Sequence, residues 1–188
     1  MPLRVISGSA KGRKLKSVPG DTTRPVTDRV KGSLFNILGA DVIDSDWWDV
    51  FGGTGAVGIE ALSRGAAFVR FTDLNRAPMD TIKANLAATG LSAKAEAKRA
   101  DAFSLLASHP NRQFHYIYIA PPQFQELWSK ALVALDENPY WLTDDGWVIV
   151  QISPKEYLEW RLKSLEEFDK RKYGTTLLIF YRRPTLDN

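Results

Sequence analysis

Residues 49–58 read Asp-Val-Phe-Gly-Gly-Thr-Gly-Ala-Val-Gly, and this stretch decides the fold class of the chain. It begins inside the apolar run Trp47–Phe51, which predicts a buried strand, and it ends inside a predicted helix over residues 56–64. A strand that turns into a helix through glycines is typical of a nucleotide-binding α/β sheet. The alternative is a tight turn that merely needs small residues. A carboxylate at the strand end favours the ligand-binding interpretation.

Strands and helices alternate along the rest of the chain, and short connections join them. This order predicts an α/β fold with a mostly parallel sheet that helices cover on both faces. A Tyr173-Gly174 turn indicates a C-terminal β-hairpin, which brings the sheet to seven strands. The predicted strands are 47–51, 68–72, 94–99, 114–119, 147–152, 165–172 and 175–182, and the helices of this part are 56–64, 76–88, 103–107 and 127–135.

Residues 1–39 form a predicted N-terminal extension to a main domain of residues 40–188. Short β-type runs at residues 3–7 and 13–18 flank a Gly/Ala/Lys turn, so we expect a small hairpin. Thr27 is a candidate N-cap for the helix that follows. The apolar stripe predicted for that helix consists of Val30, Leu34, Ile37 and Leu38.

Positive charge is concentrated near the N-terminus. Residues 1–32 hold eight Lys or Arg and two Asp, so their formal charge is +6, whereas the other 156 residues carry −3. A basic arm on a slightly acidic body is typical of a protein with a polyanionic partner. From charge alone, a solvated polar arm explains the pattern equally well. The residues predicted to contact phosphate are Arg4, Lys11, Arg13, Lys14, Lys16 and Arg29.

Two kinds of cofactor fit the glycine-rich turn. Gly53-Thr-Gly-Ala-Val-Gly58 is a literal dinucleotide fingerprint, and Asp73 ends the next strand where a ribose-binding acid belongs. Asp49 separates the two, because a carboxylate there repels a pyrophosphate but attracts the ammonium and sulfonium of S-adenosylmethionine. We therefore predict S-adenosylmethionine as the cofactor. Its predicted contacts in this part of the chain are Asp49, Phe51, Gly52, Gly53, Thr54, Gly55, Asp73, Leu74, Asp101 and Ala102.

Asp101 has two interpretations. It follows the third strand of the main domain, where methyltransferases place an acceptor for the adenine amino group. Taken alone, it is equally well explained as the N-cap of the short helix after it.

The fourth strand of the main domain ends in the loop Ala120-Pro-Pro-Gln-Phe124. Methyltransferases that modify exocyclic amines carry Asp or Asn, two prolines and an aromatic residue at this point. In such a loop a side-chain oxygen and a backbone carbonyl accept hydrogen bonds from the target amine, and the aromatic ring stacks on the flipped base. In this chain the acidic position is Ala120. Gln123 takes the aromatic position, and Phe124 is displaced by one residue.

Longer motifs resemble the bacterial RsmD family. Residues 24–38, Arg-Pro-Val-Thr-Asp-Arg-Val-Lys-Gly-Ser-Leu-Phe-Asn-Ile-Leu, and residues 49–66, which continue the glycine-rich turn, carry the resemblance. It implies a Rossmann-like class I S-adenosylmethionine-dependent methyltransferase acting on N2 of a guanine in small-subunit (16S) rRNA, free or in the 30S particle. It also implies that the arm binds RNA, and that Arg24 and Thr27 help to close the cofactor pocket.

The family's catalytic acid cannot be carried over, because Ala120 has no side-chain oxygen. The predicted catalytic set is therefore Ala120, Pro121, Pro122, Gln123 and Phe124, acting through backbone carbonyls, an amide oxygen and a stacking ring. Loss of one oriented acceptor costs roughly 2–4 kcal/mol, or about 30- to 1000-fold in rate. The alternatives to an active enzyme are a catalytically weakened or inactive RNA-binding or ribosome-assembly protein on the same fold and, remotely, an NAD-dependent dehydrogenase.

The amino-acid composition excludes several other classes of protein and kinds of site. The chain has no cysteine and only two histidines, which excludes thiolate clusters, and we expect no metal site. Neither a signal peptide nor an apolar run long enough to span a bilayer is evident. We therefore expect a soluble, cytoplasmic, monomeric protein without membrane contact.

Overall fold

The glycine-rich turn joins the first strand of a parallel sheet to the helix that follows it. The structure, a computed structural model, describes residues 2–21 and 25–185. Strands β1 (Asp46–Asp49), β2 (Phe68–Asp73) and β3 (Ala95–Arg99) pair in parallel in the order β3-β2-β1. The helices of this part are α1 (Asp28–Leu38), α2 (Ala56–Ser63) and α3 (Arg76–Thr89). They belong to a first unit, residues 1–101.

A second unit, residues 102–188, carries the remaining strands. Its elements are α4 (Ala102–Leu106), β4 (Phe114–Ile119), α5 (Leu127–Glu137), β5 (Leu142–Ile152), β6 (Glu166–Tyr173) and β7 (Thr176–Arg182). The strand order is β4-β5-β7-β6, with β4 parallel to β5 and β7 antiparallel to both β5 and β6. The seven strands belong to one mixed sheet, so the predicted α/β class and its closing hairpin are confirmed.

The core follows the apolar pattern of the sequence. Trp47 and Trp48 of β1 are fully buried, and Trp47 stacks on Phe35 of α1 with 5.5 Å between ring centroids. Thr27 caps α1 as predicted, because its Oγ1 accepts the N–H of Val30 at 3.3 Å. Ile37 was expected on the buried face of α1, but it is only half-buried, and Phe35 lies there instead.

The predicted N-terminal hairpin is shorter than expected. Leu15 donates its N–H to the Leu3 carbonyl at 2.8 Å, and Val5 donates to the Arg13 carbonyl at 2.9 Å. Pairing ends at the Val5 carbonyl, which accepts the N–H of Gly12 at 2.9 Å, because the next two N–H groups, those of Ile6 and Ser7, turn to a side chain of α2. The predicted strands at 3–7 and 13–18 are therefore wrong in extent. The domain boundary predicted after residue 39 stays a prediction.

Strand β5 begins earlier than predicted, at Leu142 rather than Trp147. Phe114 pairs with Leu142, and the register then shifts so that Tyr116 pairs with Trp147. The polar stretch 144–146 is accommodated as an irregularity within β5 instead of preceding it. Across residues 2–21 and 25–185, no helix is both long and apolar enough to cross a membrane.

Candidate functional site

The glycine-rich turn is held in a tight shape by backbone hydrogen bonds. Gly52 donates its N–H to the Thr72 carbonyl at 2.7 Å, and Gly55 donates to the Gly52 carbonyl at 2.8 Å. Gly55 is the N-cap of α2 with φ of +77°, a conformation that favours glycine. A Cβ atom at Gly58 would lie 2.4 Å from the Phe71 ring, so this glycine lets α2 pack closely on β2.

Asp73, at the end of β2, supports the same turn. Its Oδ2 accepts the N–H of Gly53 at 3.2 Å, and its Oδ1 accepts the N–H of Asn75 at 2.9 Å. Each carboxylate oxygen has a further lone pair, so both can still accept a hydroxyl from a ligand. The structure thus brings the predicted ribose acceptor to the glycine-rich turn. Leu74, the next residue, is exposed.

Asp49 ends β1 and is the least satisfied polar group of the site. Its side chain is buried, and among the described residues nothing donates a hydrogen bond to its Oδ1. Burial, with repulsion from Asp73 as the second cause, raises the pKa of Asp49 well above its ordinary value, although a hydrogen bond from the Gly58 backbone opposes the shift. A buried carboxylate oxygen without a partner is costly. The site therefore fits the cationic methionine group of S-adenosylmethionine and disfavours a pyrophosphate.

Sequence reasoning missed Asn85, a buried residue of α3. Its Oδ1 accepts the N–H of Lys16 at 2.7 Å. Its Nδ2 donates to the carbonyls of Lys16 at 3.0 Å and of Thr54 at 2.9 Å. One side chain thus connects the basic arm to the glycine-rich turn. A single Asn within a helix carries no sequence signal for this role, because both partners are backbone groups far away in the chain.

We expect Asn85→Asp to weaken S-adenosylmethionine binding by roughly 5- to 30-fold, because the carboxylate loses both donors and faces the Thr54 carbonyl, a cost of about 1–2 kcal/mol. Isothermal titration calorimetry of the purified variant measures the effect. Asn36→Asp, on an exposed position of α1, is the matched control and should bind like the wild type. Equal affinity of the two variants would show that Asn85 does not position the turn.

The remaining predicted cofactor contacts are distributed over both units. Phe51 and Asp101 are half-buried, and each lies two residues after a strand of the first unit. Ala102 is buried and belongs to the second unit as the first residue of α4. The hydroxyl of Thr27 caps α1, so its place in a cofactor pocket stays a prediction. Arg24 lies outside the described residues.

The loop after β4 has an unusual backbone. Phe124 and Glu126 have φ of +59° and +56°, a left-handed conformation that non-glycine residues rarely adopt. Phe124 donates its N–H to Glu156 Oε1 at 2.7 Å, and 66% of the residue is exposed. The loop thus presents a ring suited to stacking. The rest of the predicted catalytic set is partly or fully accessible: Ala120, Pro121, Pro122 and Gln123.

The predicted phosphate contacts are displayed at the surface. Five of them are exposed and form no ion pair with the described residues: Lys11, Arg13, Lys14, Lys16 and Arg29. The sixth, Arg4, pairs with Asp28, with 2.9 Å between Nε and Oδ2, so part of its charge is neutralised.

Two buried side chains fix the arm to α2. Glu60 accepts the N–H groups of Ile6 at 2.9 Å and of Ser7 at 3.0 Å. Ser63 Oγ accepts the N–H of Ala10 at 2.9 Å and donates to the Ser7 carbonyl at 2.6 Å. The basic side chains therefore stand on a supported backbone rather than on a free tail.

Lys31 belongs to the basic stretch in sequence but not to its surface. It is fully buried, with its Nζ 3.4 Å from Glu60 Oε2, and it donates a hydrogen bond to the Arg4 carbonyl. Burial lowers the pKa of Lys31, although the charge of Glu60 opposes the shift. The charge count of the sequence therefore overstates the positive charge that the arm presents.

Comparison with known proteins assigns a family to this arrangement. Residues 3–182 match the family described as Conserved hypothetical protein 95. Over 183 residues the chain is 37% identical to YlbH of Bacillus subtilis strain 168, a protein named provisionally as an rRNA methyltransferase, covering 96% of this chain and 99% of that protein. The chain belongs to this family. The chain is also 34% identical, over 149 residues, to the ribosomal RNA small subunit methyltransferase D of Escherichia coli K12. That alignment covers 79% of this chain and 74% of that protein.

Solved structures agree with the assignment. The structure of yhhF from Escherichia coli, provisionally named a methyltransferase, has a TM-score of 0.86 at 30% identity. The alignment covers 99% of this chain and 100% of the yhhF chain. An RNA methyltransferase of Salinibacter ruber, solved with S-adenosyl-L-homocysteine, shares the fold at a TM-score of 0.66 and 14% identity, covering 88% of this chain and 97% of its own. The predicted RsmD-like family and class I methyltransferase fold are confirmed, and with them S-adenosylmethionine as the cofactor.

Proposed function

We propose that the protein transfers a methyl group from S-adenosylmethionine to the exocyclic N2 of a guanine in small-subunit (16S) rRNA. The cofactor half of the proposal rests on the buried Oδ1 of Asp49, which accepts no hydrogen bond from the described residues. Family membership supports the RNA half, because relatives carry names that specify small-subunit rRNA. Free rRNA or the 30S particle as substrate, action as a monomer and a cytoplasmic location are parts of the same proposal.

The chain's own residues do the binding and positioning. S-adenosylmethionine, when bound, supplies a methyl group that its positively charged sulfur already activates. The Asp49 carboxylate holds the cationic methionine end, and Asp73 accepts the ribose hydroxyls. The Ala120 and Pro121 carbonyls accept hydrogen bonds from the N–H groups of the target amine, which orients its nitrogen lone pair. The ring of Phe124 stacks on the flipped guanine.

The second candidate is a weakened enzyme, or a non-catalytic RNA-binding protein on the same fold. It follows from Ala120 in the loop after β4, which has no side-chain oxygen to accept a hydrogen bond. We expect Ala120→Asp to raise the rate of methyl transfer by up to about 30- to 1000-fold, because it restores an oriented acceptor. Transfer of labelled methyl from S-adenosylmethionine to undermethylated small subunits measures the rate. Ala107→Asp, on an exposed position, is the control. A wild type that matches or exceeds Ala120→Asp contradicts the weakened-loop hypothesis.

The basic arm supplies the electrostatic part of RNA binding in this proposal. We expect the charge reversals Lys11→Glu, Arg13→Glu and Lys14→Glu to reduce the salt dependence of RNA affinity by about 0.7 log units per decade of salt for each lost contact to single-stranded RNA. Cofactor affinity should stay unchanged. Lys83→Glu, on an exposed position of α3, is the control. An unaltered salt dependence in the triple variant counts against the arm.

Asp49 also discriminates against the dehydrogenase alternative. A carboxylate at the glycine-rich turn, with an Oδ1 to which no residue in the described ranges donates, would repel the pyrophosphate of NAD. We expect S-adenosylmethionine, and not NAD, to raise the melting temperature of the protein.

A further inference from the structure

The connection between β5 and β6 has an unusual form. Both strands run antiparallel to β7 and therefore parallel to each other, and such strands are usually joined by a helix. Residues 153–165 make this crossover with a single short 3₁₀ turn, Pro154–Glu156. Irregular connections of this length in a compact unit are often binding loops. The crossover therefore calls for an explanation beyond chain connection.

Apolar side chains on the crossover are turned to solvent. Leu158 is 58% exposed and Trp160 is 40% exposed. The other five tryptophans, at positions 47, 48, 128, 141 and 147, are buried or half-buried. A partly exposed indole on an irregular segment offers a flat surface on which a base can stack.

The same segment carries unpaired positive charge. Lys155, Arg161 and Lys163 are exposed and form no ion pair with residues in the described ranges. Of its two acids, Glu156 is occupied by backbone N–H groups, and Glu159 alone is exposed. Cations interleaved with an aromatic ring are the composition that binds single-stranded nucleic acid.

The crossover is tied directly to the loop after β4. Glu156 accepts the N–H of Phe124 at 2.7 Å through Oε1 and the N–H of Ser153 at 3.1 Å through Oε2. Trp160 follows Glu156 by four residues, so its Cα lies within about 14 Å of that carboxylate's own Cα even in a fully extended chain. When one base of an RNA strand stacks on Phe124, nucleotides only a few positions away along the strand can therefore reach the crossover.

We propose that residues 155–163, here called the crossover surface, bind single-stranded RNA next to the target base. Trp160 stacks on an unpaired base, and Lys155, Arg161 and Lys163 contact phosphates. Charge favours RNA over a protein partner, because the free cations outnumber the free acid on this segment. The inference rests on the proposed RNA substrate but assigns it a contact surface separate from the N-terminal arm.

Trp160 allows a direct test, because it is the most exposed indole of those described. A short single-stranded RNA oligonucleotide should quench the tryptophan fluorescence of the wild type, and Trp160→Phe should lose most of that signal while binding nearly as well. Trp160→Ala should bind roughly 5- to 150-fold more weakly, the effect of one lost stacking contact. Arg161→Ala should lower the salt dependence by about 0.7 log units per decade. Lys94→Ala, exposed before β3, is the matched control.

Three outcomes overturn the inference, and they are distinguishable. In the first, Trp160→Ala and Arg161→Ala bind RNA as well as the wild type does, and cofactor affinity is unchanged. This result excludes RNA binding by the crossover surface but leaves the proposed function standing. In the second, the wild type binds neither free RNA nor small subunits, which excludes both the crossover surface and the proposed function. In the third, assembled small subunits change the fluorescence and free RNA does not. This result assigns the surface to a protein partner and also overturns the inference.

Discussion

We expect Asp49→Asn to bind S-adenosylmethionine about 30-fold more weakly than the wild type, the effect of losing roughly 2 kcal/mol from a charge-assisted hydrogen bond. The same variant should melt at a higher temperature without ligand. Asparagine keeps the shape of the side chain but removes a buried charge, one oxygen of which, Oδ1, accepts no hydrogen bond from the described residues. Opposite signs for ligand affinity and stability are the signature of a side chain kept for binding.

The pH dependence of the Asp49 contribution follows from the direction of its pKa shift. The folded pKa lies above the unfolded one, so between the two values the folded protein holds more protons than the unfolded chain. The contribution to stability is therefore present at pH values below the unfolded pKa, and it is lost as the pH rises through the folded pKa. Affinity for the cationic cofactor changes in the opposite direction, because the ionised carboxylate is the form that binds.

Calorimetric titrations and thermal melts of the wild type and Asp49→Asn over a pH series measure both effects. Asp41→Asn, on an exposed position of the same unit, is the control and should leave both quantities unchanged. Wild-type affinity in Asp49→Asn would contradict the assignment of Asp49 to the cofactor.

Glu60→Gln should lower the free energy of unfolding by about 3–5 kcal/mol, the typical cost of breaking a buried ion pair. Glu60 is fully buried between Lys31 and Arg64, at 3.4 Å and 2.9 Å, and it also accepts two backbone N–H groups of the arm. The neutral amide leaves Lys31 charged, buried and unpaired. The melting temperature should fall by roughly 6–20 °C for a chain of this size.

Two further variants separate this explanation from general disruption. Lys31→Met in the Glu60→Gln background should recover part of the lost stability, because no unpaired charge then remains buried. Asp80→Asn breaks the exposed Arg76–Asp80 pair and should change stability by less than about 1 kcal/mol. A double variant no more stable than Glu60→Gln would show that the loss does not come from the charge of Lys31.

The elements near the glycine-rich turn could be predicted because local chemistry determines them. The bounds of α2 and β4 follow from the glycines, from the apolar run of residues 114–119 and from the prolines after it. Asp49, at the end of β1, could also be recognised from the sequence, because a charge beside glycines at a strand end has few structural uses. Only the three-dimensional structure shows that no described residue donates a hydrogen bond to its Oδ1.

Long-range contacts account for what the sequence did not reveal. Lys31 looked like one more cation of a basic arm, and only the fold places Glu60 beside it. Asn85 connects Lys16 to Thr54, residues separated from it by 69 and 31 positions, through backbone groups that no side-chain pattern encodes. The early start of β5 depends on pairing with Phe114, which overrides the polar turn signal of residues 144–146.

The most direct test of the proposed function is nucleoside analysis of small-subunit rRNA. Undermethylated 30S particles and free 16S rRNA would be incubated with the purified protein and S-adenosylmethionine, digested to nucleosides and analysed by mass spectrometry. The proposal predicts new N2-methylguanosine, with more formed by Ala120→Asp and less by Asp49→Asn. Bound cofactor and bound RNA without any methylated nucleoside, in the wild type and in Ala120→Asp alike, would contradict it.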